Sequence, residues 1–114
     1  MKRFPSIKKN REFQTVYRGG NSFANRLLVM YVTENGQEQN RIGISVSKKV
    51  GNSVVRHRIT RLIREIFRLN HGRLKTGLNI VVVARQAAKE AEYRDLERAY
   101  MHLCGLHNIK KESK

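Results

Sequence analysis

The sequence predicts an α+β fold, a single-domain α/β sandwich in which helices pack on one small mixed β-sheet. Two observations carry this. The hydrophobic period switches along the chain in the order α-β-β-α-β-α, and the apolar run "LNIVVVA" (78–84) has the length and composition of a strand covered on both faces. With 114 residues the chain suffices for one domain and one modest core, so one domain over 1–114 is expected, with a flexible basic arm at 1–9.

The elements follow in order. Asn10 can cap a short helix, "REFQTVYRGG", that stops at Gly19-Gly20. A short extra strand is expected near Ser22-Phe23-Ala24, and "RLLVMYV" (26–32) is rich in strand formers. "ENGQ" (34–37) holds Asn-Gly, the strongest short hairpin signal. "RIGISVS" (41–47) then alternates, with Ile42, Ile44 and Val46 on one face and Gly43, Ser45 and Ser47 on the other. That second face is small and polar and leaves room for something to lie against it. A long helix follows with Asn52 or Ser53 as its cap and ends near Asn70-His71-Gly72. After the 78–84 strand a last helix is expected over about 92–107.

Charge is the strongest compositional signal. Lys and Arg number 24 against 9 Asp and Glu, for a net charge of +15. Solubility of a small domain needs a magnitude of no more than about 8, so the excess points to an anionic partner, nucleic acid before a membrane surface. No apolar run approaches the ~18 residues of a membrane span, and no apolar signal core follows the basic "MKRFPSIKKN". The single cysteine, Cys104, excludes an internal disulfide. The expected compartment is the cytoplasm.

The charge concentrates in "KKVGNSVVRHRITRLIREIF" (48–67). At 100° per residue, Val55, Ile59, Leu62, Ile63, Ile66 and Leu69 share a sector that must face the core. Arg56, His57, Arg61, Arg64 and Arg68 fall opposite it, with Arg58 at the sector's edge. A merely solvated face would tolerate lysine and compensating acids. Here arginine dominates, whose fork matches phosphate oxygens, and Glu65 is the only acid. Lys48, Lys49 and Gly51 precede the helix N-terminus, whose free N–H groups suit phosphate, although the spacing is not that of a nucleotide-binding P-loop.

Phe13, Val16 and Tyr17 lie on one face of the first helix. Val16 is read as core. Phe13 and Tyr17, with Tyr31 on the next strand, are interleaved with Lys8, Lys9, Arg11, Arg18 and Arg26. They are either core residues or stacking platforms for single-stranded nucleic acid. No nucleophile, paired metal carboxylates or Cys-x-x-Cys spacing is present, so no catalytic or metal-ligating residue is expected. His102, Cys104 and His107 do not share a helix face, and the acids Glu90, Glu92, Asp95 and Glu97 suit a helix N-terminus.

These residues resemble the protein subunit of bacterial ribonuclease P. The family signature is similar to Lys-x-Gly-Asn-x-Val-x-Arg-Asn-Arg-x-x-Arg-x-x-Arg, and here it reads "KVGNSVVRHRITRLIR" (49–64). "IKKNREFQTVY" (7–17), "SFANRLLVMYV" (22–32), "RIGISVSKKVGN" (41–52) and "IVVVARQAA" (80–88) match in the same order. Three positions depart from the pattern: His57 stands for asparagine, Thr60 for lysine and Ala87 for a common proline.

The resemblance implies an accessory subunit of an endoribonuclease whose RNA subunit, using Mg²⁺, removes the 5′ leader of precursor tRNA. The protein itself is expected to bind no cofactor. The resemblance implies binding of that RNA through Lys48, Lys49, Asn52, Arg56, Arg58, Arg61, Arg64 and Arg68. It implies a leader cleft between the first helix and the sheet, formed by Phe13, Tyr17, Arg26, Tyr31, Gly43, Ser45 and Ser47. It further implies a left-handed crossover from the third strand through the arginine helix to the fourth, and no membrane or stable protein partner. Two other readings stay open on the residues alone: a general or ribosome-associated RNA-binding protein, and a DNA-binding module whose arginine helix enters a major groove.

Overall fold

The computed structural model describes residues 6–111. Three α-helices, α1 (Asn10–Gly19), α2 (Ser53–Asn70) and α3 (Tyr93–Leu106), pack on a sheet of β1 (Asn21–Ala24), β2 (Leu28–Glu34), β3 (Arg41–Ser45) and β4 (Leu78–Ala84). Single 3-10 turns cover His71–Arg73 and Gln86–Glu90. The strand order is β1-β2-β4-β3. β1 and β2 are antiparallel, β2 and β4 antiparallel, and β3 and β4 parallel, with Ile42 opposite Ile80. The sheet is therefore mixed, as the sequence predicts.

The Asn-Gly signal does not make a hairpin. β4 lies between β2 and β3, so the chain from Glu34 to Arg41 must step over one strand, a span of ~9.6 Å across two strand spacings. Gly36 still takes a left-handed conformation (φ 69°), and Asn35 Oδ1 accepts from Gln37 N at 2.7 Å. The crossing is stitched down by buried Asn40, which accepts from Leu78 N (2.9 Å) and donates to Lys75 O (2.8 Å). The true hairpin joins β1 to β2, where Asn25 Oδ1 accepts from Leu28 N (3.0 Å). Turn chemistry is local, whereas strand pairing was decided by burial of β4, whose Ile80, Val81 and Val82 are fully covered.

The crossover is left-handed, and the chirality of one residue shows it. Ile42 points its side chain into the core below α2, and its carbonyl faces outward to accept from Ile7 N at 2.8 Å. Seen from the α2 side with β3 running upward, an L-residue facing the viewer directs its N–H and C=O to the right. The outer edge is thus on the right and β4 on the left. A β3-α2-β4 path over the front of the sheet that moves leftward is left-handed, against a preference of ~98% for the other hand.

The main core lies between α2, α3 and one sheet face, around Met30, Ile59, Ile63, Ile66, Phe67, Ile80, Leu96, Tyr100 and Leu103. Under α1, on the other face, Ile7, Val16 and Val81 form a small buried cluster among the described residues. A ten-residue helix covers ~15 Å, while a seven-residue strand runs ~23 Å. α1 therefore leaves part of its sheet face open.

Three expectations are corrected here. Residues 1–5 of the basic arm lie outside the described residues, but residues 6–9 do not form a free arm: Ser6 bridges to Ile42 in parallel and Ile7 is buried. Lys9, not Asn10, caps α1, and Glu12 Oε1 accepts from Lys9 N at 3.4 Å. On α2, Leu69 is 56% exposed while Phe67 and Asn70 are buried. The larger Phe67 ring on the opposite flank of the apolar stripe hides more area, so the buried arc turns toward it.

Candidate nucleic-acid interface

The basic loop before α2 is built by a turn and a cap. Val50 N donates to Ser47 O (3.1 Å) and the Val50 side chain is buried, which turns Lys48 and Lys49 out into solvent. Asn52 Oδ1 accepts from Val55 N at 3.0 Å, so this predicted RNA-contact residue is the N-cap of α2. Gly51 is required sterically, because a Cβ there would lie 2.8 Å from Val55 Cγ1.

The arginines of α2 divide into two groups. His57, Arg61 and Arg64 are exposed on the outer face. Arg68 is exposed too, but Glu65 takes its Nε at 3.1 Å and also pairs with its Nη2. This contact holds the Glu65 carboxyl below its ordinary range and raises Arg68. Arg56 and Arg58 are half-buried; at 100° per residue each falls roughly 20° outside the apolar sector, Arg56 beside Ile63 and Arg58 beside Leu69, so Arg56 is not opposite the core as the sequence reading set it. Arg58 Nη2 donates to Ala91 O at 2.9 Å, tying α2 to the segment before α3. The Nε of Arg56 is buried with no hydrogen-bond partner among the described residues. The spacing thus separates these two flanking arginines from the outer ones, whereas the Arg58 contact with Ala91 involves a segment distant in the chain.

The open sheet face gathers the predicted aromatic residues. Tyr17 stands edge-on to Tyr31, with ring centroids 4.8 Å apart, and tilts toward Phe13 at 6.2 Å. All three rings are half-buried, packed against the Ile7, Val16 and Val81 cluster. Gly43 forms the floor: a Cβ there would lie 3.0 Å from Phe13 Cε1 and from Ile7 Cβ. Burial raises the pKa of the Tyr17 hydroxyl, and the neighbouring Ser45 side chain partly opposes this. Of the two readings the residues left open, core or stacking platform, Phe13 lies nearer to core than the cleft role implied by the resemblance, and Tyr17 and Tyr31 flank the small, polar β3 face.

A pocket of about 510 Å³ lies at the C-terminal ends of β3 and β4. Arg26, Ser47 and Lys49 line it, joining two predicted leader residues to a predicted RNA-subunit residue. Arg85 and Gln86, which the sequence reading did not single out, line it too, with Val50, Ala84 and Ala87, and no acid among the described residues does. Arg85 Nη1 is held by Asn25 O at 2.9 Å, which fixes the pocket against the β1–β2 turn. Its only sequence signal is a cation just past the end of a buried strand.

No three or more His, Cys, Asp or Glu residues among those described lie close enough to hold a metal ion. Cys104 is buried, which pushes its thiol up to about 12. His107 Nε2 contacts Met30 O at 2.8 Å. No helix among the described residues is long and apolar enough to cross a membrane.

A family model described as Ribonuclease P matches residues 1–107. The ribonuclease P protein component of Lachnoclostridium phytofermentans is 57% identical over 104 residues, covering 91% of this chain and 90% of that relative. That of Alkaliphilus metalliredigens is 53% identical over 97 residues, 85% of this chain and 87% of the relative. Among solved structures, the RNase P protein of Staphylococcus aureus superposes with a TM-score of 0.87 at 37% identity, over 96% of this chain and all of that one (100%). The RNase P protein of Thermotoga maritima, solved with 1-(4-fluorophenyl)-2-thiourea, gives 0.81 at 29% identity over 86% of this chain and 95% of that one.

Proposed function

This chain belongs to the ribonuclease P protein family, the protein subunits of the ribonucleoprotein endonuclease that matures tRNA 5′ ends, and we propose how it divides its surface between two RNAs. It partners the ribonuclease P RNA. In our reading that contact is made by the exposed cations of the loop and α2, namely Lys48, Lys49, Arg61, Arg64 and Arg68. Asn52 and Arg58 serve it indirectly, one by capping α2 and the other by docking it.

The 5′ leader of precursor tRNA lies on the open sheet face, stacked against Tyr17 and Tyr31 and bordered by Phe13, Gly43, Ser45 and Ser47. Its phosphates enter the pocket of Arg26, Lys49 and Arg85. The observation that carries this reading is that Arg26 and Ser47, of the leader face, and Lys49, of the loop before α2, line one pocket, which supports a single site where the two RNA surfaces meet. Bases stack on aromatic rings without regard to sequence, which suits a leader that differs between tRNAs. The hydrolysis belongs to the RNA subunit and its Mg²⁺, in the cytoplasm, and this chain contributes binding.

Cleavage of precursor tRNA by the cognate RNA subunit at low Mg²⁺ tests the proposal. Adding the protein should restore correct 5′ cleavage, and the protein alone should produce none. Failure to restore cleavage, or specific cleavage without the RNA subunit, would refute it.

A further inference from the structure

We infer that Arg41 and Glu12 act as one pair of positioning residues that sets how α1 stands over the cleft floor. The inference rests on the reading of that face as the leader site. Arg41, the first residue of β3, places Nη2 2.7 Å from Glu12 Oε2, and the same nitrogen donates to Ser6 O at 3.2 Å. The segment that pairs with β3, the first turn of α1 and β3 itself thus converge on one guanidinium. Glu12 uses both oxygens: while Oε2 meets Arg41, Oε1 accepts from Lys9 N at the helix start. One carboxylate therefore both caps α1 and docks it.

The rest of α1 is anchored elsewhere. Gly20 sits so close to β2 that a Cβ would come within 2.9 Å of Val32 O, and Val16 is the buried residue at the helix centre. The Arg41 contact and the Phe13 ring on Gly43 hold the N-terminal turn itself, just after the Ser6–Ile7 segment that pairs with β3 through Ile7 N and Ile42 O. Phe13 follows Glu12 directly, so loss of the ion pair lets that turn lift and takes Phe13 with it. The pair is 22% and 33% exposed, and pairs at the surface add little to overall stability. Position can therefore be separated from folding.

The test combines two readouts on the full chain with Glu12→Ala, Arg41→Ala and the double variant. Glu12→Gln, which keeps the side-chain volume, stands in if an alanine variant unfolds. In the free protein, NMR shifts of Gly43, which lies beneath the Phe13 ring, should relax toward ordinary glycine values in each variant. In the reconstituted holoenzyme, the preference for leader-bearing precursor over mature tRNA should fall about threefold to tenfold in each single variant and no further in the double, as for coupled neighbours. Affinity for the RNA subunit should stay within about twofold of the parent.

If Arg41 instead touched RNA on its own, removing Glu12 would strengthen binding and the single effects would add. Either result overturns the inference, as does an unmoved Gly43 resonance. Loss of preference in Tyr17→Ala with none in Glu12→Ala overturns this inference alone. Intact preference in both Phe13→Ala and Tyr17→Ala overturns the cleft reading and this inference with it.

Discussion

Phe13 and Tyr17 share one helix face but differ in task. Phe13 lies on Gly43, so Phe13→Ala should cost about 1–3 kcal/mol of stability, below the ~3–5 kcal/mol of a fully buried phenylalanine. Tyr17 is only half-buried, with Ser45 near its hydroxyl, so its loss should cost less stability and more leader affinity. Thermal denaturation beside precursor binding separates the two. Gly43→Ala places a methyl against Phe13 and Ile7 at 3.0 Å and should destabilise by about 1–3 kcal/mol through overpacking. The arginines divide in the same way. Arg58→Ala removes a charged donor from Ala91 O and should lower stability by about 1.5–3 kcal/mol in chemical denaturation. Charge reversal at Arg61 or Arg64, both exposed, should weaken RNA-subunit binding with a native melting curve. The reverse pattern would exchange their roles.

At the scale of elements, legibility followed how local the signal was. The three helices, the Asn52 cap and the alternation of β3 could be read because they depend on neighbours within a few residues. The Asn-Gly turn was equally local, yet pairing β2 with β3 was wrong, because placing β4 between them depends on burying Ile80, Val81 and Val82 from both sides. Handedness depends on which way Ile42 turns its carbonyl, which no residue pattern encodes. For the candidate site, the grouping of the aromatic residues with the small β3 residues was legible, but the Arg58 contact with Ala91 and the pocket wall at Arg85 were not, since those depend on contacts between distant segments. Element docking also predicts a pH effect. The Arg41 hydrogen bond holds the Glu12 carboxyl below its ordinary 4.5, so the folded-state value is depressed. The tie is then fully present above about pH 4.5 and is lost as pH falls through the lowered folded value. Gly43 resonances should stay constant from neutral pH to about 4.5 and move only below it, and Glu12→Gln should abolish that step.

Across the whole molecule, a charge of +15 on 114 residues is repulsive until RNA neutralises it. If about five phosphates are paired, RNA-subunit affinity should fall by ~4 powers of ten per tenfold rise in salt, and each exposed arginine removed should lower that slope by about one charge's share. The asymmetric core, thick beneath α2 and α3 and thin beneath α1, is what leaves an aromatic surface open beside this charge. The most direct measurement is the affinity of the reconstituted holoenzyme for precursor and for mature tRNA, parent against Tyr17→Ala. Losing a base stack of ~1–3 kcal/mol should weaken precursor binding roughly fivefold to 150-fold while mature tRNA binding stays unchanged. Equal losses for both RNAs, or none for either, would contradict the account.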